Sequence, residues 1–183
     1  PQPDDFWQVP IIINCRDRVT ALRRLVDWLQ GAGYKRIILL DNASTYPPLL
    51  DYYREIAARP DKEAIQLIRL TQNLGHQALW RSGILRQLQI RGPFVYSDPD
   101  IVPIADCPND IIQVFWRILA ANPFVQKAGF GLKLDDLPDH FAKKAAVLFH
   151  ETHFWEHRLP QQTPEEYLAP IDTTFALYRH GNY

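Results

Sequence analysis

The sequence predicts an α/β fold, a mainly parallel sheet flanked by helices with its ligand crevice at the carboxyl ends of the strands. Three observations carry this expectation. Apolar runs of strand length alternate with segments whose apolar residues recur at helical spacing. The runs are apolar almost without a break, as in strands that crossover helices cover on both faces. Each of the first four runs also stops in a polar cluster, where an open sheet of this kind presents its ligand-binding loops.

Val9 to Asn14 is the first strand, apolar until its polar end. From Thr20 onward Leu22, Leu25, Val26 and Leu29 put one apolar face on a helix, and Gly31 and Gly33 end it. Arg36 to Leu40 repeats the strand pattern and stops in Asp41-Asn42-Ala43-Ser44; Pro47 and Pro48 then open a helix carrying Leu49, Tyr52, Tyr53 and Ile56. The third strand, Ile65 to Leu70, leads through Asn73-Leu74-Gly75-His76 into a helix containing Leu79, Gly83, Leu85 and Leu88. The fourth, Pro93 to Ser97, ends in Asp98-Pro99-Asp100. Next come a helix from Asn109 to Ala121, stopped by Asn122-Pro123, a strand from Val125 to Leu134 and a helix from Pro138 to Phe149. A loop at Gln161 to Glu165 and a last strand from Ile171 to Tyr178 complete the pattern. Consecutive βα units imply right-handed crossovers and a doubly wound sheet.

Composition narrows the function classes. The chain has 183 residues, 46% of them hydrophobic and 22% charged, which suits one domain with a sizeable core. Twenty basic residues against 21 acidic ones leave a net charge of −1, with no basic run to follow a polyanion, so nucleic acid is not expected as a partner. The longest apolar runs, such as Pro10 to Ile13 and Ile37 to Leu40, fall far short of the roughly 20 residues that cross a bilayer. Pro1 to Trp7 lacks the layout of a secretory signal. Two cysteines, Cys15 and Cys107, are too few for a disulfide scaffold, so a reducing cytoplasm is the expected location, with a peripheral position on a membrane as the alternative. No methionine occurs, position 1 included, so a trimmed chain is expected.

The sharpest chemical signal is Asp98-Pro99-Asp100. Two carboxylates two residues apart on extended backbone point to the same side, and Pro99 biases Asp98 towards that conformation. They can converge on a hard divalent ion such as Mg²⁺ or Mn²⁺, which prefers oxygen ligands and bridges carboxylates to substrate phosphates. An isolated Asp-x-Asp is more often a turn or a helix cap; here it follows the fourth strand, where ligand chemistry is expected.

With these elements in order, the chain resembles the GT-A fold (Rossmann-like) glycosyltransferases, in particular family 2. The polar loop after the opening strand is matched by Asn14-Cys15-Arg16-Asp17-Arg18, an Asp-Asp-Gly-Ser-like element by Asp41-Asn42-Ala43-Ser44, an Asn-x-Gly by Asn73-Leu74-Gly75, and the Asp-x-Asp by Asp98-Pro99-Asp100. Asn42 stands for the usual second Asp and Ala43 for Gly. The resemblance covers Val9 to Leu134 as the nucleotide-sugar part, and residues 135–183 form an acceptor-side part of the same single domain. It implies a metal-dependent, inverting transfer of a sugar from a nucleoside-diphosphate sugar, UDP favoured, to the hydroxyl of a carbohydrate or other acceptor. Asp41 and Asn42 would hold nucleobase and ribose, Asn14 to Arg16 would close over the base, and Asn73 and His76 would line the site, His76 against a pyrimidine. Asp98 and Asp100 would hold ribose and the metal-bound diphosphate. Relatives continue past the last strand to a late histidine and often the base, so the chain is expected to be truncated, with His180 a weak substitute.

An inverting transfer needs a carboxylate within hydrogen-bond reach of the acceptor hydroxyl. Asp172, on the expected late strand, is the first candidate, and Glu151 and Glu156 are alternatives. His150, His153 and His157 share a helical face at i, i+3, i+7; a zinc site there is the minority reading, a solvated or acceptor-facing helix the majority one. Phe154, Trp155 and Tyr167 are candidates to stack on a sugar ring. A dinucleotide oxidoreductase would carry Gly-x-Gly-x-x-Gly after the first strand, and a sugar nucleotidyltransferase would also want a glycine-rich loop there; neither pattern occurs. An aspartate-nucleophile phosphatase would place its Asp-x-Asp after the first strand, not the fourth. The remaining competitor is a relative that binds a sugar nucleotide, or a partner, without turnover.

Overall fold

The computed structural model describes residues 3–59, 64–159 and 165–180, so most of the expected loop at Gln161 to Glu165 lies outside the described residues. Six strands form one sheet in the order β3-β2-β1-β4-β6-β5. The elements are β1 (Ile11–Cys15), α1 (Thr20–Gly31), β2 (Ile37–Asp41), α2 (Pro47–Ala58) and β3 (Ile65–Arg69), then the short helices α3 (Ala78–Arg81) and α4 (Ile84–Gln87) before β4 (Phe94–Ser97). After these come α5 (Ile111–Ala121), β5 (Lys127–Gly129), α6 (Lys144–Thr152) and β6 (Ala176–Tyr178). β1 to β4 run parallel, in registers such as Ile13 beside Leu39 and Ile12 beside Tyr96. β6 enters antiparallel between β4 and β5, which makes the sheet mixed.

The unbroken apolar strands are explained by two cores. Ile11, Ile13, Ile37, Leu39 and Val95 face one side, against Leu22, Leu25, Val26 and Leu29 of α1, the apolar face of α2 and Ile111, Ile112, Phe115 and Leu119 of α5. Ile12, Ile38, Leu40, Phe94 and Tyr96 face the other side, against Ala78, Leu79, Ile84 and Leu85. Burying the four α1 residues alone favours folding by roughly 6–12 kcal/mol at about 1.5–3 kcal/mol per side chain. Right-handed crossovers explain the division: β1 to β3 step one way with α1 and α2 on one face, and the reversal to β4 sends α3 and α4 to the other. β1 and β4 flank that reversal, the place where an open α/β sheet leaves a crevice.

Four expected elements differ. The helix after Asn73 is split, because Gly83 takes a left-handed conformation (φ 69°) that ends α3 and restarts the chain as α4. The strand expected at Val125 to Leu134 is only Lys127–Gly129; beyond it Phe130 N donates to Thr174 O, and Gly131 leaves the sheet beneath Trp155. The helix expected from Pro138 to Phe149 begins at Lys144, whose ammonium holds Leu137 O and the Asp139 carboxylate (both 2.8 Å) and keeps the preceding chain in turns, and it runs on to Thr152. The last strand is cut to Ala176–Tyr178 by Phe175 at φ 51°, so Asp172 is not on a strand. No helix among the described residues is long and apolar enough to cross a membrane.

Candidate functional site

The polar ends of β1, β2 and β4 and the loop after β3 meet in one cleft of about 540 Å³. Asn14, Arg16, Asp17 and Arg18 line it from the first loop, Asn42 from the second, Asn73, Gly75 and His76 from the third, and Asp98, Pro99 and Asp100 from the fourth. Hydrogen bonds between neighbouring loops set its shape. Asp17 Oδ1 accepts from Thr45 N (2.8 Å) and Tyr46 N (2.9 Å), and these bonds hold its carboxyl below the usual range. Arg16 Nη1 donates to the carbonyls of Asn42 (2.7 Å) and Ala43 (3.1 Å). Asp17 (φ 48°) and Ala43 (φ 57°) both adopt left-handed backbone, unusual outside glycine and held here by these cross-loop bonds.

Asn42 ties the second loop to the third: its Oδ1 accepts from Leu74 N (2.7 Å) and its Nδ2 donates to Gly75 O (3.0 Å). Asn73 Oδ1 accepts from Gly75 N (2.8 Å) and shapes that loop locally, while the carbonyl of His76 takes the Tyr96 hydroxyl (3.3 Å). Asn14 Nδ2 also reaches Gly75 O (3.4 Å), but Asn14 Oδ1 is buried with no hydrogen-bond partner among the described residues.

Asp41, matched by the resemblance to a nucleobase ligand, does not line the cleft. It is 0% exposed, and its carboxylate accepts from Arg69 Nε (2.9 Å), Tyr53 Oη (3.2 Å) and Ser44 N (3.3 Å). Arg69 also donates to Ser44 O (3.1 Å), so the ion pair clamps the second loop from behind. Every position of β2 is buried, its terminal carboxylate included.

Asp98 is half-buried. Its backbone N donates to Thr173 O (2.9 Å) and its Oδ2 accepts the Thr173 hydroxyl. Burial raises its pKa; the Thr173 bond opposes this, and the nearby charges of Asp100 and Asp172 add to the rise. Asp100 is more exposed and forms an ion pair with Arg18. Arg18, Asp17 and Thr173 were missed in the sequence; the first two sit within the quoted first loop, but nothing in sequence brings Thr173 beside Asp98.

A second, larger hollow of about 1020 Å³ adjoins the cleft, for Asp100 lines both. Of the three candidate bases only Glu151, 14% exposed, lines it. Asp172 is 72% exposed and lines neither space, although His150 Nε2 lies 3.8 Å from its Oδ2 and 4.0 Å from Glu151 Oε1. Glu156 is exposed and lines neither. His150 and His153 stay adjacent at 5.5 Å between ring centres, but His157 falls beyond the helix. No group of three or more His, Cys, Asp or Glu is placed to hold a metal ion among the described residues. Trp155 lines the hollow and meets Tyr167 edge-on at 5.0 Å.

No protein-family model matches the chain, and no curated protein matches it.

Proposed function

We propose that the chain is a glycosyltransferase that moves a sugar from a nucleoside-diphosphate sugar, UDP favoured, to an acceptor hydroxyl with inversion, using Mn²⁺ or Mg²⁺. The observation that supports it most is the juxtaposition of Asp98 and Asp100 with three other strand-end loops around one cleft at the sheet's reversal point. A volume of about 540 Å³ is within the range of small-ligand sites.

The donor set fits a cation shared with phosphate. Mg²⁺ and similar ions keep few protein ligands and complete their shell with water and diphosphate oxygens, and two carboxylates, Asp98 and Asp100, suffice for that. Like charges crowded with Asp172 and partly buried are relieved by a positive ion. Bound there, the cation would offset the charge that develops on the departing diphosphate. Arg16 and Arg18 add positive charge on the facing loop, and Glu151, on the wall of the second hollow, would take the acceptor's proton.

The Arg18–Asp100 pair favours a second reading: a relative that binds the sugar nucleotide without turnover, a guanidinium standing where the cation would sit. Thermal melting with UDP and GDP, each with and without Mn²⁺, and release of sugar from UDP-sugars separate the two. Under the first reading UDP with Mn²⁺ stabilises by about 2.7 kcal/mol at a hundredfold excess over Kd, and sugar is released. Stabilisation without release supports the second. An unchanged melting curve with every nucleoside diphosphate refutes both.

A further inference from the structure

We infer that the hollow beside the cleft binds a hydroxylated compound with an apolar body, of the class of alkyl or aryl glycosides, and that this compound is the acceptor. The acceptor role rests on the glycosyltransferase reading; the binding does not.

The lining of the hollow combines two chemistries. It carries Asp100, which it shares with the cleft, and the largely buried carboxylate of Glu151. Much of the remaining wall is hydrocarbon or aromatic: Ile101, Val102 and Ile104 follow the Asp-Pro-Asp turn, Leu132 follows β5, and Val147 and Trp155 come from α6 and the turn after it. Charged groups on the lining are partly self-neutralised, Lys133 lying 3.4 Å from Asp135. A concave, mainly apolar space with a few convergent polar groups is the usual form of a small-ligand site, and about 1020 Å³ exceeds the need of a single sugar ring.

The aromatic wall is built into the backbone. A Cβ on Gly131 would lie 2.6 Å from the Trp155 ring, so only glycine lets the indole rest against the chain at that point. Trp155 remains 38% exposed and faces the hollow, a flat surface for a sugar ring or an aryl group. Ile104, also on the lining, is 61% exposed, which leaves an apolar margin open to solvent. A free sugar would leave these surfaces in water, whereas an alkyl or aryl group covers them.

In the transfer, the acceptor hydroxyl oxygen bonds to the anomeric carbon and the bond from that carbon to the diphosphate oxygen breaks. The bonding pair leaves with the nucleoside diphosphate, and the hydroxyl proton passes to Glu151. An acceptor whose apolar body lies on the hydrocarbon and aromatic lining keeps its hydroxyls for the carboxylates of the same wall, Asp100 and Glu151.

The test uses n-octyl β-D-glucoside, below its micelle concentration, and D-glucose, titrated against intrinsic tryptophan fluorescence. Two variants narrow the hollow without altering a carboxylate: Ala21→Phe on the first turn of α1 and Val147→Phe on α6, both at partly exposed lining positions. The wild type should give a saturable response to octyl glucoside at concentrations where glucose gives none. Each variant should raise Kd for octyl glucoside at least tenfold while its melting response to UDP with Mn²⁺ stays unchanged. No saturable response in the wild type, or the same Kd in both folded variants, overturns the inference even where UDP binds. Saturable binding that the variants weaken, with no response to any nucleotide, upholds the site and overturns the transfer reading alone.

Discussion

Replacing Asp41 with alanine tests whether this carboxylate is a clamp of the fold or a ligand to nucleotide. It is 0% exposed and accepts three internal hydrogen bonds, from Arg69, Tyr53 and Ser44. Hydrogen bonds to an ionised group contribute about 1.5–3 kcal/mol each, and a buried donor left without its acceptor costs about 1–3 kcal/mol. Arg69 is 51% exposed, so water replaces its partner and its share is small. The Tyr53 hydroxyl is buried and can turn to the Cys15 thiol, which recovers part of its loss. The net cost is therefore about 3 kcal/mol, and at about 2–4 °C per kcal/mol for a domain of this size Tm should fall by roughly 6–12 °C. Asp41→Asn, which keeps an acceptor for Tyr53, should lose less. Both melting curves, together with urea midpoints, read the effect. An Asp41→Ala protein that melts within about 1 °C of the wild type but no longer responds to UDP would refute the clamp and return the residue to the ligand.

Asp100→Asn should remove most of the Mn²⁺ dependence of UDP stabilisation while leaving folding nearly unchanged, because crowded carboxylates do not stabilise the chain and the exposed ion pair with Arg18 contributes little; undiminished metal dependence in melting titrations would show the motif to be only a turn. Glu151→Gln should lower transfer by about 10²–10⁴-fold with UDP binding intact, whereas Asp172→Asn should have a lesser effect; kcat for the two variants decides, and the reverse order would restore Asp172 as the base. Asp98 has a raised pKa from burial and from Asp100 and Asp172, so the native state holds its proton to a higher pH than the unfolded chain. Its stabilising share is complete below the ordinary value of 3.8 and is lost as pH rises through the raised one. Tm measured against pH should therefore decline across that window in the wild type and decline less in Asp98→Asn; parallel curves would exclude the shift.

The residues that made the fold legible are those whose pattern is local. Ile11 to Cys15 and Ile37 to Asp41 are buried at every position, and the α1 and α2 apolar faces are the ones the helical spacing marks. The β1-to-β4 parallel block follows, because crossover helices of this length leave little other topology. The second half was less legible. β5 and β6 are three residues each, and their limits depend on Phe175 at φ 51° and on a Gly129 whose Cβ would lie 2.8 Å from Ala176 Cα. No periodicity records contacts of that kind.

For the site, sequence alone determined that polar loops end the first four strands and that two carboxylates stand two residues apart after the fourth. It did so because those loops are fixed by their position on strands whose order is set by local pattern. Tertiary structure alone decided which side chains face the cleft. It turned Asp41 inward, onto Arg69 and Tyr53, brought Thr173 to Asp98 across 75 residues of chain, and put Arg18 on Asp100. It also placed Glu151 rather than Asp172 or Glu156 on the wall of the adjoining hollow. Side-chain direction at a strand end, and contact between distant loops, follow from packing and hydrogen-bond satisfaction over the whole chain, which no short segment encodes.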